Sequence, residues 1–167
     1  MSLRGTVSCK ALLVSFALSL GSAAAAEPPH VAAKDEVAAG EYLATVAGCN
    51  DCHTAGWPES DGKIPPADRF LGAPIGFTGP WGTSYPTNLR LTVQHMSADE
   101  WAQYSHELQA LPPMPAMNVR HMSERDRRAI YAYLKSLGPK GEPAPAALPP
   151  GETPKTPYIV FMPTMPK

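Results

Sequence analysis

Cys49-Asn50-Asp51-Cys52-His53 is the stretch whose residue types and spacing could do chemistry. Two thiols two residues apart, with an imidazole directly after the second, form the C-x-x-C-H pattern of covalent haem attachment in an exported chain. The thiols add to the two porphyrin vinyl groups and become thioethers, and the adjoining His53 reaches the iron as proximal ligand. Two other chemistries use a C-x-x-C pair. A thiol–disulfide couple relies on a lowered thiol pKa. It has no need of a histidine directly after the second cysteine, and a helical pattern rather than a strand precedes this pair. A structural zinc site wants further ligands at short spacing, and the three cysteines of the chain leave no second pair.

An iron held by His53 has a sixth position, either filled or open. Methionine is a frequent sixth ligand and raises the reduction potential. The candidates are Met96, Met114, Met117 and Met122. Met114 lies in Pro112-Pro113-Met114-Pro115. Pro115 keeps Met114 out of the helical region, and Pro113 and Pro115 have fixed φ, so the loop is stiff, extended and able to hold one thioether in place. Met117 is the alternative ligand, three residues further on in a less restricted stretch. Met96 and Met122 each fall beside a helix start. A methionine also serves as core filler. His95, His106 and His121 could supply a second imidazole, but none has a comparably rigid setting.

These residues need elements to position them. Asp35 caps a helix running to about Gly48, with Val37, Leu43, Val46 and Ala47 as its apolar face. Residues 54–96 hold six glycines and six prolines, a loop region of a length that a compact domain rarely carries without something to wrap around. Ser97-Ala98-Asp99-Glu100 is a capping box opening a helix to about Gln109, with Trp101, Tyr104 and Leu108 inward, and Pro112, Pro113 and Pro115 end it. Ser123 to Asp126 repeats the start signal. Ile130, Tyr133, Leu134 and Leu137 line one face of that last helix, and Gly138-Pro139 stops it. Nine prolines crowd into residues 139–167, so this stretch reads as an extended tail, in which Tyr158 to Phe161 adds a short edge strand or packs as an anchor. The expectation is an all-α unit over 27–138 with about three main helices and long Gly/Pro-rich loops. Its thin core is one that a buried porphyrin would fill. Trp81, Tyr85 and Asn88 read equally as walls of a haem pocket or as loop packing. Arg120, Arg125, Arg127 and Arg128 either frame an acidic partner's docking site or form a solvated helix face.

The first 26 residues carry an address. Arg4 and Lys10 precede the charge-free run Ala11 to Leu20, and small residues follow up to Ala26, as in a secretory signal peptide cleaved after Ala26. Ala11 to Ala26 spans 16 residues, short of the roughly 20 that a membrane span needs, so no stable membrane insertion is expected after cleavage. The mature chain then runs from 27 to 167 in the periplasm. The formal charge of the whole chain is −1, far from the basic balance of a nucleic-acid binder. Apolar residues at 44% exclude a disordered acidic chain.

Three stretches together resemble the class I c-type cytochromes, the family of mitochondrial-type cytochrome c. They are Gly40-Glu41-Tyr42-Leu43 leading into the Cys49–His53 motif, the Pro-Pro-Met114-Pro loop, and Ser123 to Leu137. With Gly79 to Leu89, they look like the bacterial branch that contains haem subunits of periplasmic dehydrogenases. The chain departs from those subunits in having one C-x-x-C-H and in reading Arg90-Leu91-Thr92 after Asn88-Leu89. The resemblance covers about 35–138. It implies the cytochrome c fold, one covalent haem c with its iron, and Cys49, Cys52, His53 and Met114 as the residues that bind it. His53 is then the proximal and Met114 the distal ligand. It also implies that the first and last helices cross near Gly40 and Ile130 or Tyr133. The function it implies is single-electron transport between redox partner proteins, without bond chemistry at a catalytic residue. The alternative is a haem subunit of a dehydrogenase, or a haem enzyme with an open sixth site.

Overall fold

A computed structural model describes residues 27–166; the signal-peptide reading of 1–26 lies outside them. The helices are α1 (Glu36–Val46), α2 (Cys49–His53), α3 (Leu89–Gln94), α4 (Ala98–His106), α5 (Ala116–His121) and α6 (Glu124–Ser136). The strands are β1 (Gly76–Gly79), β2 (Gly82–Ser84) and β3 (Tyr158–Val160).

Local signals set the helix starts. Asp35 accepts from the Ala38 amide at 2.8 Å. Ser97 and Glu100 form the expected reciprocal box. The Ser123 hydroxyl accepts from the Asp126 amide. In each case a side-chain oxygen satisfies an amide that has no partner inside the first helical turn.

The core lies between α1 and α6, with Trp101 of α4 and Val93 of α3 packed against them. A Cβ on Gly40 would overlap the carbonyl of Ala129 and come within 2.7 Å of the Tyr133 Cβ. Glycine is therefore what lets the two backbones approach at this crossing, as the resemblance implied. The buried face of α1 differs from the one expected. Of the expected residues only Leu43 is buried, together with Ala39, Gly40 and Ala44, whereas Val37, Val46 and Ala47 are exposed. Close approach selects small residues for the contact, and apolar residues are spread around much of this helix, so their spacing alone pointed to the wrong stripe. On α4, Trp101 is buried as expected, but Tyr104 is exposed and stacks on its outer side with ring centroids 5.8 Å apart. That helix stops at His106, three residues short of the expected end.

Helices carry the core, and the described residues add a small three-stranded sheet. The glycine-rich middle forms a hairpin of β1 and β2, joined by Pro80-Trp81. β3, from the tail, pairs in parallel with the other edge of β1. The edge-strand reading of Tyr158 to Phe161 thus holds for Tyr158–Val160, and Phe161 packs on Phe77 and Trp81. Upstream, Leu148 and Thr83 exchange two backbone hydrogen bonds of 2.9 Å on the outer edge of β2. A Cβ on Gly82, whose φ is +96°, would overlap the Leu148 carbonyl. The tail therefore closes both edges of the hairpin.

Buried polar side chains fasten the remaining segments. Arg90 donates to the carbonyls of Gly138 (2.6 Å), Ala67 (2.8 Å) and Leu137, joining the C-terminal end of α6 to the loop before β1. The Val31 amide donates to buried Asp126 at 2.8 Å. The arginines around the start of the last helix each have a partner within the chain, Arg120 donating to the Leu108 carbonyl, while Arg125 stays exposed. Arg127 is buried and donates to the Met122 carbonyl, Arg128 meets Asp99 and Glu124, and Arg125 meets Glu27.

Candidate haem site

α2 is five residues long, and its sequence is the motif. It follows Gly48, whose φ of +71° is a left-handed turn that glycine adopts without strain. This turn breaks the chain after α1 and starts a second short helix. Cys49, Cys52 and His53 fall at i, i+3 and i+4, so all three share one face.

The two thiols are not joined to each other. Burial pushes the Cys49 thiol up to about 11, with a smaller upward push from Asp51. Burial, then Asp51, raises Cys52 as well. Reactive C-x-x-C couples work through lowered thiol pKa values, so this environment opposes the thiol–disulfide reading. Among the described residues, no three His, Cys, Asp or Glu side chains gather in a way that would hold a metal ion.

His53 is buried at 8% exposure. Burial holds its pKa below the ordinary imidazole range, opposed by its hydrogen bond to Thr87. The ring is therefore neutral at neutral pH. Its Nδ1–H donates to the Thr87 carbonyl at 2.8 Å, which fixes the tautomer and leaves Nε2 with its lone pair as donor to a metal. The backbone on either side is fixed too, since the Gly72 amide donates to the His53 carbonyl at 2.9 Å. A neutral imidazole with one nitrogen committed and one free, beside two unpaired thiols on the same helix face, is a donor set that fits covalent haem.

Behind the motif, the Asn50 side-chain carbonyl accepts from Thr54, and Thr54 accepts from the Phe70 amide. This chain of bonds ties α2 to the loop that carries fully buried Phe70. Asn50 Nδ2 is buried without a partner.

Met114 and Met117 are separated in kind. Met114 is half-buried in the loop before α5, and its amide donates to the Leu111 carbonyl at 3.3 Å. Met117 lies within α5 and is 61% exposed. The less restricted stretch expected around Met117 is therefore a helical turn pointing this side chain to solvent. The Met114 loop is fastened to the hairpin, because the Ser84 hydroxyl donates to the Pro112 carbonyl at 2.6 Å. Residues 84–88 thus hold the Met114 loop at one end and the His53 ring at the other. The structure brings Cys49, Cys52 and His53 together. Residues 84–88 link the Met114 loop to the His53 ring, and among the described residues no hydrogen bond joins Met114 to His53.

Of the residues read as pocket walls or loop packing, Asn88 is buried, Trp81 donates to the Phe77 carbonyl, and Tyr85 accepts from Thr156. Each has a partner within the chain. Thr87 and Arg90 escaped sequence reasoning. Thr87 acts through its backbone carbonyl, which no side-chain pattern announces. Arg90 stood out only as a departure from the resembled family. No protein-family model, curated protein or solved structure matches the chain.

Proposed function

We propose that this protein is an exported monohaem c-type cytochrome that carries single electrons between redox partner proteins in the periplasm. The observation that carries this reading is the His53 ring, buried and neutral, with Nδ1 committed to the Thr87 carbonyl directly after two unpaired thiols. Bound haem supplies an iron that cycles between ferric and ferrous states. The residues of the chain do the rest. Cys49 and Cys52 anchor the porphyrin edge through thioethers. His53 is the proximal donor, and its basicity is set by the hydrogen bond to Thr87. Met114 is the distal donor, supported by its half-buried place in a proline-bounded loop tied to Ser84. The haem takes the place of a larger side-chain core, as in the cytochrome c fold that the motif and the helix crossing at Gly40 suggest.

Denaturation followed by acid-acetone extraction tests the reading. The pigment is expected to stay on the chain, and Cys49→Ser or Cys52→Ser is expected to reduce the yield of pigmented protein sharply. Colour that leaves with the solvent, or a wild-type protein purified from the periplasm without colour, overturns it.

A further inference from the structure

The Thr87 carbonyl has to stay 2.8 Å from the His53 ring, yet Thr87 itself lies at the surface, its side chain exposed. An exposed peptide holds its orientation only if its neighbours are braced. On the inner side the brace is Gly72. It takes the His53 carbonyl through its amide, and a Cβ there would come within 2.8–3.0 Å of the Pro86 carbonyl and the backbone of Thr87 and Asn88. On the outer side the brace comes from the tail. Asn88, 3% exposed, uses its side-chain oxygen to cap α3, accepting from the Leu91 amide at 3.1 Å. Its amide nitrogen donates to the carbonyls of Lys140 (2.8 Å) and Glu142 (3.2 Å). Gly141 makes the turn between those carbonyls with a φ of +77°, and a Cβ on it would sit 3.2 Å from Asn88 Nδ2. The same tail then pairs Leu148 with Thr83 and donates from Thr156 to Tyr85 at 3.1 Å. Thr83, Tyr85 and Asn88 are thus fastened along one strap, on the segment whose Thr87 carbonyl orients His53.

We propose that the tail turn at Lys140–Glu142, gripping Asn88, positions the Thr87 carbonyl against His53 Nδ1 and so sets the donor strength of the proximal histidine. Asn88 is a positioning residue, since it acts on His53 only through the neighbouring peptide. The consequence for reduction potential rests on the cytochrome reading; the hydrogen-bond geometry does not. A firm acceptor at Nδ1 makes the imidazole a more basic ligand, which favours the ferric state. Loosening the strap therefore raises the potential, while the thioethers keep the haem on the chain.

Three variants test this. Removal of residues 139–167 takes the strap away. Gly141→Val attacks it from the tail side. Asn88→Ser keeps a hydroxyl to cap α3 but is too short to reach the tail carbonyls, and it adds no charge. The direct readout is the solvent exchange of the His53 Nδ1 proton, followed by NMR in the ferrous protein. All three variants are expected to speed this exchange by at least about tenfold, the mark of local opening, and to shift the potential upward. Glu152→Ala, at an exposed tail position, is expected to change neither. Exchange and potential that stay at wild-type values in the truncated chain overturn the proposal. If that chain does not fold, unchanged values in both point variants overturn it. A wild-type chain without haem defeats the electron-carrier reading alone. The exchange of the His53 ring proton in that chain and its variants then decides the positioning role.

Discussion

His53, Met114 and Cys49 each make a claim that one side chain can answer. A sixth iron ligand has to be a soft donor held at fixed reach, and fixing a flexible methionine costs side-chain entropy. Pro113 and Pro115 lower the backbone share of that cost by restricting the loop beforehand. Met117, on a helix and turned to solvent, has no such help. Met114→Ala is expected to abolish the weak sulfur-to-iron band at the red end of the ferric spectrum, lower the potential and let cyanide bind. Met117→Ala is expected to leave the band intact. The reverse pattern would make Met117 the ligand. Cys49 gives a test that needs no haem. Its thiol, pushed from 9.0 up to about 11 by burial, holds roughly a hundredfold less thiolate at neutral pH than an unperturbed one, and thiolate is the reactive form. In folded chain made without haem, iodoacetamide is expected to modify Cys52 first. Cys49 should react slowly, faster as the pH approaches 11. Mass spectrometry of the alkylated peptides checks the order. Equal, fast labelling of both would show that the burial of α2 depends on the bound group. The motif was legible because its chemistry is local in sequence. The acceptor for His53 was not, because it is a peptide carbonyl 34 residues away and any residue type can supply one.

At the scale of elements, the α1–α6 crossing is the most exposed to a single change. A side chain at Gly40 gains helix propensity, about 1 kcal/mol for alanine over glycine. It must also displace the Ala129 carbonyl and the Tyr133 Cβ, which belong to the facing helix and cannot swing aside like a flexible side-chain end. Overpacking of this kind costs about 1–3 kcal/mol and outweighs the propensity gain. Gly40→Val is expected to lower the unfolding free energy by about 1–3 kcal/mol, read as a lower denaturant midpoint without a change in the unfolding slope. A midpoint at or above wild type would show that the helices can slide apart freely. Helix starts were legible here because Asp35, Ser97 and Ser123 each announce themselves within one turn. The buried stripe of α1 was not, because it is chosen by the partner helix. The hairpin hid inside a run that read as loop. Its strands are four and three residues long, too short for alternation to show, and their partners on both edges come from the tail.

For the molecule as a whole, the question is which chain is finished and what it carries. Under the proposed reading, the apolar run from Ala11, bounded by Arg4 and Lys10 before and small residues after, serves as a leader for export and removal. Export of this kind would deliver the thiols to the compartment that the proposed C-x-x-C-H reading requires. The described chain from Glu27 is put to use: Glu27 meets Arg125 at 3.1 Å and the Val31 amide reaches Asp126, so the first described residues dock on α6. At the other end the prolines correctly excluded a helix. They could not reveal that the tail returns to the hairpin, since such pairing depends on where β1 lies in space. With Glu27 and Val31 docked on α6 and the tail paired as far as Phe161, trimming into residues 27–161 is not expected. The intact mass of the pigmented protein should therefore equal residues 27–167 plus a single haem, with the free amine on Glu27. A mass that retains residues 1–26 would mean the leader stays and acts as an anchor. A mass that lacks residues 140–167 would mean that the turn gripping Asn88 is cut away. Two haems per chain would leave the single C-x-x-C-H motif unable to account for the second.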